Sequence, residues 1–358
     1  MTRRVSGTPL PSQSLLLLAA AGAMAIVAAA LVSPVIRMLR GYGMIRQPGG
    51  RGSHASPTPV GGGLAFTLPV SAAWIAVAAT EGDAVVMTIA IAGLLVTATG
   101  FLDDRIGLRA RTRLAVQGAA AVAVAAAEFG AMPVGSPAAP LIVLCPVVIV
   151  WCTNLTNFMD GIDGLAASEG LFIAAAGSVL WTWQGGEPAV GLCLACAAGA
   201  LGGFVPWNAP PARVFMGDAG STWLGFTMSA LALHACWLRP GTWAAWAVLP
   251  ALFVSDATLC LMRRAIRRED LATGHRAHAY QNLARLTGSH GAVVLLFAAC
   301  NTALLVAAGA ALHNPGLGGP IAAATYAIAG SAMALARSGV HGIADPRPSD
   351  RLPPTQIR

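Results

Sequence analysis

Apolar runs of roughly 17–25 residues recur from one end of this chain to the other, each long enough to cross about 30 Å of hydrocarbon. Eleven can be counted, at about 15–36, 60–80, 84–102, 113–131, 138–155, 165–183, 188–206, 220–238, 242–262, 291–311 and 319–337. Only 10% of the 358 residues are charged and 56% are hydrophobic, whereas a soluble domain carries about 25% charged residues. No segment between the runs is long enough for a separate soluble domain. The pattern predicts an all-α integral membrane protein, a polytopic bundle of about 11 transmembrane helices over residues 1–337. Residues 338–358, rich in Pro and polar side chains, are expected to form a disordered tail.

Charge sets the expected orientation. All 22 basic residues are Arg, and the net charge is +7. Segments 37–60, 103–113, 206–219, 263–290 and 337–358 carry 4, 4, 1, 6 and 4 of them, 19 in all, leaving Arg3, Arg4 and Arg239 for the other side. The positive-inside rule puts the Arg-rich side in the cytoplasm, giving an external N-terminus and a cytoplasmic C-terminus. The first run, about 22 residues, exceeds the h-region of a signal peptide and reads as a retained span. No basic stripe carries interleaved aromatics, so nucleic acid is not an expected partner. The seven Cys all fall in apolar runs and read as small buried hydrophobes, Cys193 and Cys196 included.

The polar residues are gathered, not scattered. Five of the fifteen acids sit in three Gly-punctuated patches: Asp103-Asp104; Asn154 to Gly164, with Asn157, Asp160 and Asp163; and Phe215-Met216-Gly217-Asp218-Ala219-Gly220-Ser221. Carboxylates near a bilayer are costly and point to a held cation or polar substrate. Adjacent carboxylates such as Asp103 and Asp104 repel one another unless a divalent cation lies between them. The spacing Asn154/Asn157 and Asp160/Asp163 puts each pair near one helix face. Asp218 and Ser221 can cap the following helix, whose N-terminus favours an anion, and Phe215 can stack on a planar base. His275-Arg276-Ala277-His278 fits phosphate clamping, since guanidinium offers bidentate donors. Asp256 is read as the one acid clearly inside a span, either functional or a partner for a loop Arg. The run Gly61-Gly62-Gly63 opens the second span and either lets backbone meet a ligand or makes an ordinary turn.

The set Asp-Asp followed by Arg, Asn-x-x-Asn-x-x-Asp-Gly-x-Asp-Gly-Leu, Val-Phe-Met-Gly-Asp-x-Gly-Ser and His-x-x-His resembles the polyprenyl-phosphate N-acetylhexosamine-1-phosphate transferases, over about residues 37 to 337. The resemblance implies one transmembrane catalytic domain in the bacterial inner membrane with its active site in cytoplasmic loops. It implies catalytic carboxylates at Asp103, Asp104 and Asp160, and Mg2+, or Mn2+ in its place, on Asn157 and Asp218. Asp163 would bond the uracil with Phe215 stacked on it. Arg111, Arg113, His275, Arg276 and His278 would hold phosphates; several relatives carry a Lys where this chain offers Arg111 and Arg113. The implied partners are undecaprenyl phosphate, a UDP-N-acetylhexosamine and membrane lipids, with a homodimer left open. The last loop lacks three consecutive His, so it looks more like the branch initiating O-antigen and capsule than the phospho-N-acetylmuramoyl-pentapeptide transferases. A transporter or lipid flippase is the competing class; it predicts acids spread through the bilayer midplane.

Overall fold

The computed structural model describes residues 11–47, 57–132, 139–270 and 276–340. Its long helices are α1 (Pro11–Gly41), α2 (Leu64–Glu81), α3 (Ala84–Ile106), α4 (Ala110–Ala131), α5 (Cys145–Met159), α6 (Leu165–Trp183), α7 (Pro188–Asn208) and α8 (Gly217–Leu238). Then come α9 (Trp243–Val248), α10 (Ala251–Ile266), α11 (Ala279–Thr287), α12 (His290–His313) and α13 (Gly318–Leu335). Two-residue strands β1 (Ile45–Arg46) and β2 (Thr58–Pro59) pair antiparallel between α1 and α2. The chain is thus an all-α multi-pass membrane protein. Among the described residues nine helices are long and apolar enough to cross a membrane, or ten when a bent pair is one span.

Two expected spans look different in three dimensions. The run 242–262 is two helices, α9 and α10, bent by 68°. The break falls at Pro250, which has no N–H to continue the helical ladder. The run 220–238 is α8, 22 residues long, about 33 Å at 1.5 Å per residue, yet outside the apolar set. It is buried on nearly every side, packing chiefly on α3 and α5. Its Ser, Thr and His side chains therefore face protein, and an apolar surface is not required of it.

Small residues bring helices into backbone contact. α1 lies along α7, where a Cβ on Gly199 would overlap the Ala21 carbonyl and one on Gly203 would lie 3.0 Å from the Ala25 carbonyl carbon. In lipid such close packing replaces the hydrophobic drive between helices. Gly203→Leu is expected to cost about 1–3 kcal/mol or more by overpacking. Gly309→Leu, where nothing lies within 4 Å, should unfold near the wild-type temperature. Thermal unfolding of both in detergent checks this.

Buried acids are more numerous than the sequence suggested. Besides Asp256, Glu128 and Glu169 are buried inside the bundle. Each has a protein partner: Glu169 accepts from Asn301 at 2.7 Å, and Glu128 lies 3.0 Å from His234 Nδ1. The other imidazole nitrogen is 3.3 Å from Asp83, whose second oxygen caps α3 through Val85 and Val86. This trio fastens α3, α4 and α8 at the end away from the motifs. Ser338 to Val340, read from the sequence as the start of the tail, instead fold onto the body: Ser338 is fully buried.

Candidate active site

The antiparallel run of helices brings the C-terminal ends of α3 and α5 and the N-terminal ends of α4 and α8 to one end of the bundle. Arg113, on the first turn of α4, ion-pairs with Asp103 and reaches Asp218 at 3.2 Å. Asn157 Nδ2 donates to Asp218 at 2.9 Å and to Ser221 Oγ at 3.0 Å. Asp103 also accepts from the Leu108 N–H at 2.6 Å, which folds the α3–α4 turn over its carboxylate. Asp104 accepts the Ala219 N–H at 3.2 Å. The anion at the N-terminus of α8 is therefore a carboxylate from α3. Asp218 and Ser221 do not cap it; Ser221 Oγ donates to the Gly217 carbonyl at 3.1 Å instead.

Asp160 closes the group at the end of α5. Burial pushes its carboxyl well above the usual carboxylate range; neighbouring Asp218, then Asp104 and Asp163, push it further, against the pull of Arg46. Like-charged carboxylates thus surround Asp160, which disfavours its charged form.

The α1–α2 loop forms the rim. Val60 bridges to Phe215, and the Phe215 N–H donates to the Pro59 carbonyl at 2.9 Å. The Gly run meets backbone here, not ligand. Gly62 and Gly63 donate to the Phe215 and Met216 carbonyls at 2.9 Å each, and a Cβ on Gly63 would lie 2.6 Å from Gly220 N. Arg46, on β1, sits 5.9 Å from the Phe215 ring centroid. The sequence reading missed Arg46; its only signal was membership of an Arg-rich loop, and the β-pairing that aims it was not visible.

Other expected residues are placed differently. Asp163 is buried; its Oδ2 accepts from the Ala212 N–H at 3.0 Å, and its own N–H donates to His290 Nδ1 at 3.3 Å. His290, at the start of α12, was a lone His with no pattern to mark it. Asn154 turns from Asn157 and bonds Gln117 at 2.8 Å. Arg111 is exposed, two residues and so about 200° from Arg113 around the helix. His278 is 2% exposed and stacked between Phe158 and Tyr280, with Nδ1 3.7 Å from Asp256. An imidazole enclosed in this way is a poor direct phosphate clamp. Arg276 is half-buried beside it, and His275 lies outside the described residues. Among the described residues Asp256 pairs with no loop Arg; it accepts the Ala279 and Tyr280 N–H groups.

Fold and site define a multi-pass membrane protein with one carboxylate-rich centre at a bundle end. Residues 86–235 match the family described as glycosyl transferase family 4. A decaprenyl-phosphate N-acetylglucosaminephosphotransferase of Mycobacterium tuberculosis is 31% identical over 337 residues, spanning 83% of this chain and 81% of that protein. A Bacillus subtilis protein named probable undecaprenyl-phosphate N-acetylglucosaminyl 1-phosphate transferase is 27% identical, over 74% of this chain and 77% of its own. A phospho-N-acetylmuramoyl-pentapeptide-transferase of Mycolicibacterium gilvum is 32% identical, over 66% and 80%. The chain belongs to the polyprenyl-phosphate N-acetylhexosamine-1-phosphate transferases, enzymes that move a sugar-1-phosphate onto a polyprenyl phosphate.

Proposed function

We propose that this enzyme transfers an N-acetylhexosamine-1-phosphate from a UDP-sugar to undecaprenyl phosphate, at the cytoplasmic face of the bacterial inner membrane, and so begins a cell-surface polysaccharide of the O-antigen or capsule type. The observation that carries this reading is the convergence of Asp103, Asp104, Arg113, Asn157, Asp160 and Asp218 at one bundle end. An oxygen of the lipid phosphate attacks the phosphorus bearing the sugar. The bond from that phosphorus to the bridging oxygen breaks, and UMP leaves with the electron pair. Such a reaction asks the protein for alignment and charge neutralisation. A phosphate monoester has its second pKa near 6, about one unit below neutral pH, so the nucleophile needs little help from a base. Asp103, fixed by Arg113 and the Leu108 N–H, is better suited to orienting it. Arg113 and Arg276 supply positive charge to the diphosphate.

Magnesium fits the donors. Mg2+ takes one or two carboxylates and completes its shell with water and substrate phosphates. Among the described residues no three His, Cys, Asp or Glu side chains make a closed metal cage, and none is needed for this mode of binding. Asp218 and the amide oxygen of Asn157 would hold the ion, which would neutralise diphosphate charge and stabilise departing UMP.

The names of the Bacillus and mycobacterial relatives favour N-acetylglucosamine as the first donor to try, with undecaprenyl and decaprenyl phosphate both as acceptors. Transfer of a phospho-N-acetylmuramoyl-pentapeptide is the second reading, favoured by the Mycolicibacterium relative. The test is UMP release by the purified protein with magnesium and each lipid, across a panel of UDP-N-acetylhexosamines and the UDP-muropeptide. Lipid-dependent UMP from UDP-N-acetylglucosamine is expected; release from the muropeptide alone would move the protein to peptidoglycan synthesis, and none from any donor would overturn the proposal.

A further inference from the structure

We propose that Asp256 and Tyr280 are positioning residues, a buried strut that fixes the last turn of α5 and with it Asn157 and Asp160. Asp256 is wholly buried on α10, in the bent pair. Its Oδ1 accepts the Ala279 N–H at 2.8 Å and the Ser338 hydroxyl at 2.6 Å. Its Oδ2 accepts the Tyr280 N–H at 3.1 Å. The carboxylate therefore caps α11 from another helix, using N–H groups that have no partner within α11, and it faces the positive end of that helix. It also binds the chain after α13 through Ser338. One side chain ties α10, α11 and the segment beyond α13 together.

Tyr280 carries that anchor into the site. It is fully buried, and its hydroxyl donates to the Phe158 carbonyl at 2.9 Å. That carbonyl is among the last four of α5, which lack intrahelical donors. Phe158 stacks on His278 at 6.4 Å between centroids, and His278 on Tyr280 at 5.5 Å. Phe158 lies between Asn157, which grips Asp218, and Asp160. A Cβ on Gly161 would overlap the Tyr280 hydroxyl and approach its Cζ to 3.0 Å. Glycine is thus set at 161 by the strut. In this arrangement His278 is a spacer between two aromatic rings, and the segment from His278 to Tyr280 acts on the reaction by holding α5.

The kinetic readout rests on the transferase reading above, so a second readout is kept independent of it. Tyr280→Phe keeps the ring and removes one hydrogen bond. It is expected to lower kcat about tenfold, the effect of one lost bond, with both KM values and the unfolding temperature near wild type. Gly161→Ala should lose more, and Gly161→Ala with Tyr280→Phe should recover much of that loss, because the methyl then has the space the hydroxyl held. Hydrogen exchange gives the other arm: amides 155–164 should exchange faster in Tyr280→Phe, and in Asp256→Asn both 155–164 and 276–287 should. Strictly additive kinetic losses, or loosening of 276–287 alone in Asp256→Asn, would overturn the strut. If wild type released no UMP, the exchange pattern would still decide it, and only the proposed function would fall.

Discussion

Asp218→Asn should lower turnover by about two to three orders of magnitude at limiting magnesium, the scale seen when one charge-stabilising group is removed from a reacting centre, and by less at saturating magnesium. Asn keeps the volume of Asp but has a single acceptor oxygen, so of the contacts with Asn157 and Arg113, made at 2.9 and 3.2 Å by different carboxylate oxygens, it can keep one. What it removes is the charge and one acceptor. A purely structural role predicts that the variant unfolds earlier. The site predicts no such loss, because Asp218 is one of several carboxylates pressing on Asp160, and relieving that like-charge repulsion offsets the one contact given up. Stability should stay near wild type while activity falls. The measurement is UMP release across a magnesium titration, with an unfolding curve alongside. Equal loss at every magnesium concentration would remove Asp218 from the ligand set.

The sequence carried the architecture because hydrophobic length is a local property. Every expected span corresponds to a helix or a bent pair. It also carried the site's membership, since Asp103, Asp104, Asn157, Asp160 and Asp218 do gather. What it could not carry was pairing across the bundle. Asp104 looked like half of an isolated acid pair, yet it accepts from Ala219 on α8. Asp256 looked either functional or like a partner for a loop Arg seven residues on, because helix periodicity is all that a sequence shows; it bonds Ala279, Tyr280 and Ser338. Asp83 and Glu128 carried no mark in the sequence because their partner His234 is over a hundred residues away in the chain. Gly61 to Gly63 advertised a close approach of backbone, but not whether ligand or protein would be the other party.

That distinction yields the second large effect. Gly100→Ala should cost about 10²-fold in kcat, the scale set by displacing a reacting group about 1 Å, while Gly118→Ala should leave kcat unchanged. Both residues lie within helices, where Ala is favoured over Gly by about 1 kcal/mol when space allows. Gly118 on α4 has that space, with nothing within 4 Å of an added Cβ, so its variant should be slightly more stable in detergent. Gly100 on α3 does not. Its Cβ would overlap the Asp218 carbonyl and lie 2.7 Å from Ala219 N. Neither is a flexible side-chain end, so backbone must move, and the first turn of α8 is the backbone that carries Asp218. The same displacement would stretch the bond from Ala219 to Asp104, 3.2 Å in the wild type. One methyl group thereby shifts Asp218 and Asp104 together. Unfolding temperature and kcat measured on the two variants separate the cases: falling activity in Gly100→Ala with a folded protein would fit displacement of α8. Equal kcat in the two variants would mean that the start of α8 tolerates the shift and that its register against α3 does not set the geometry of the site.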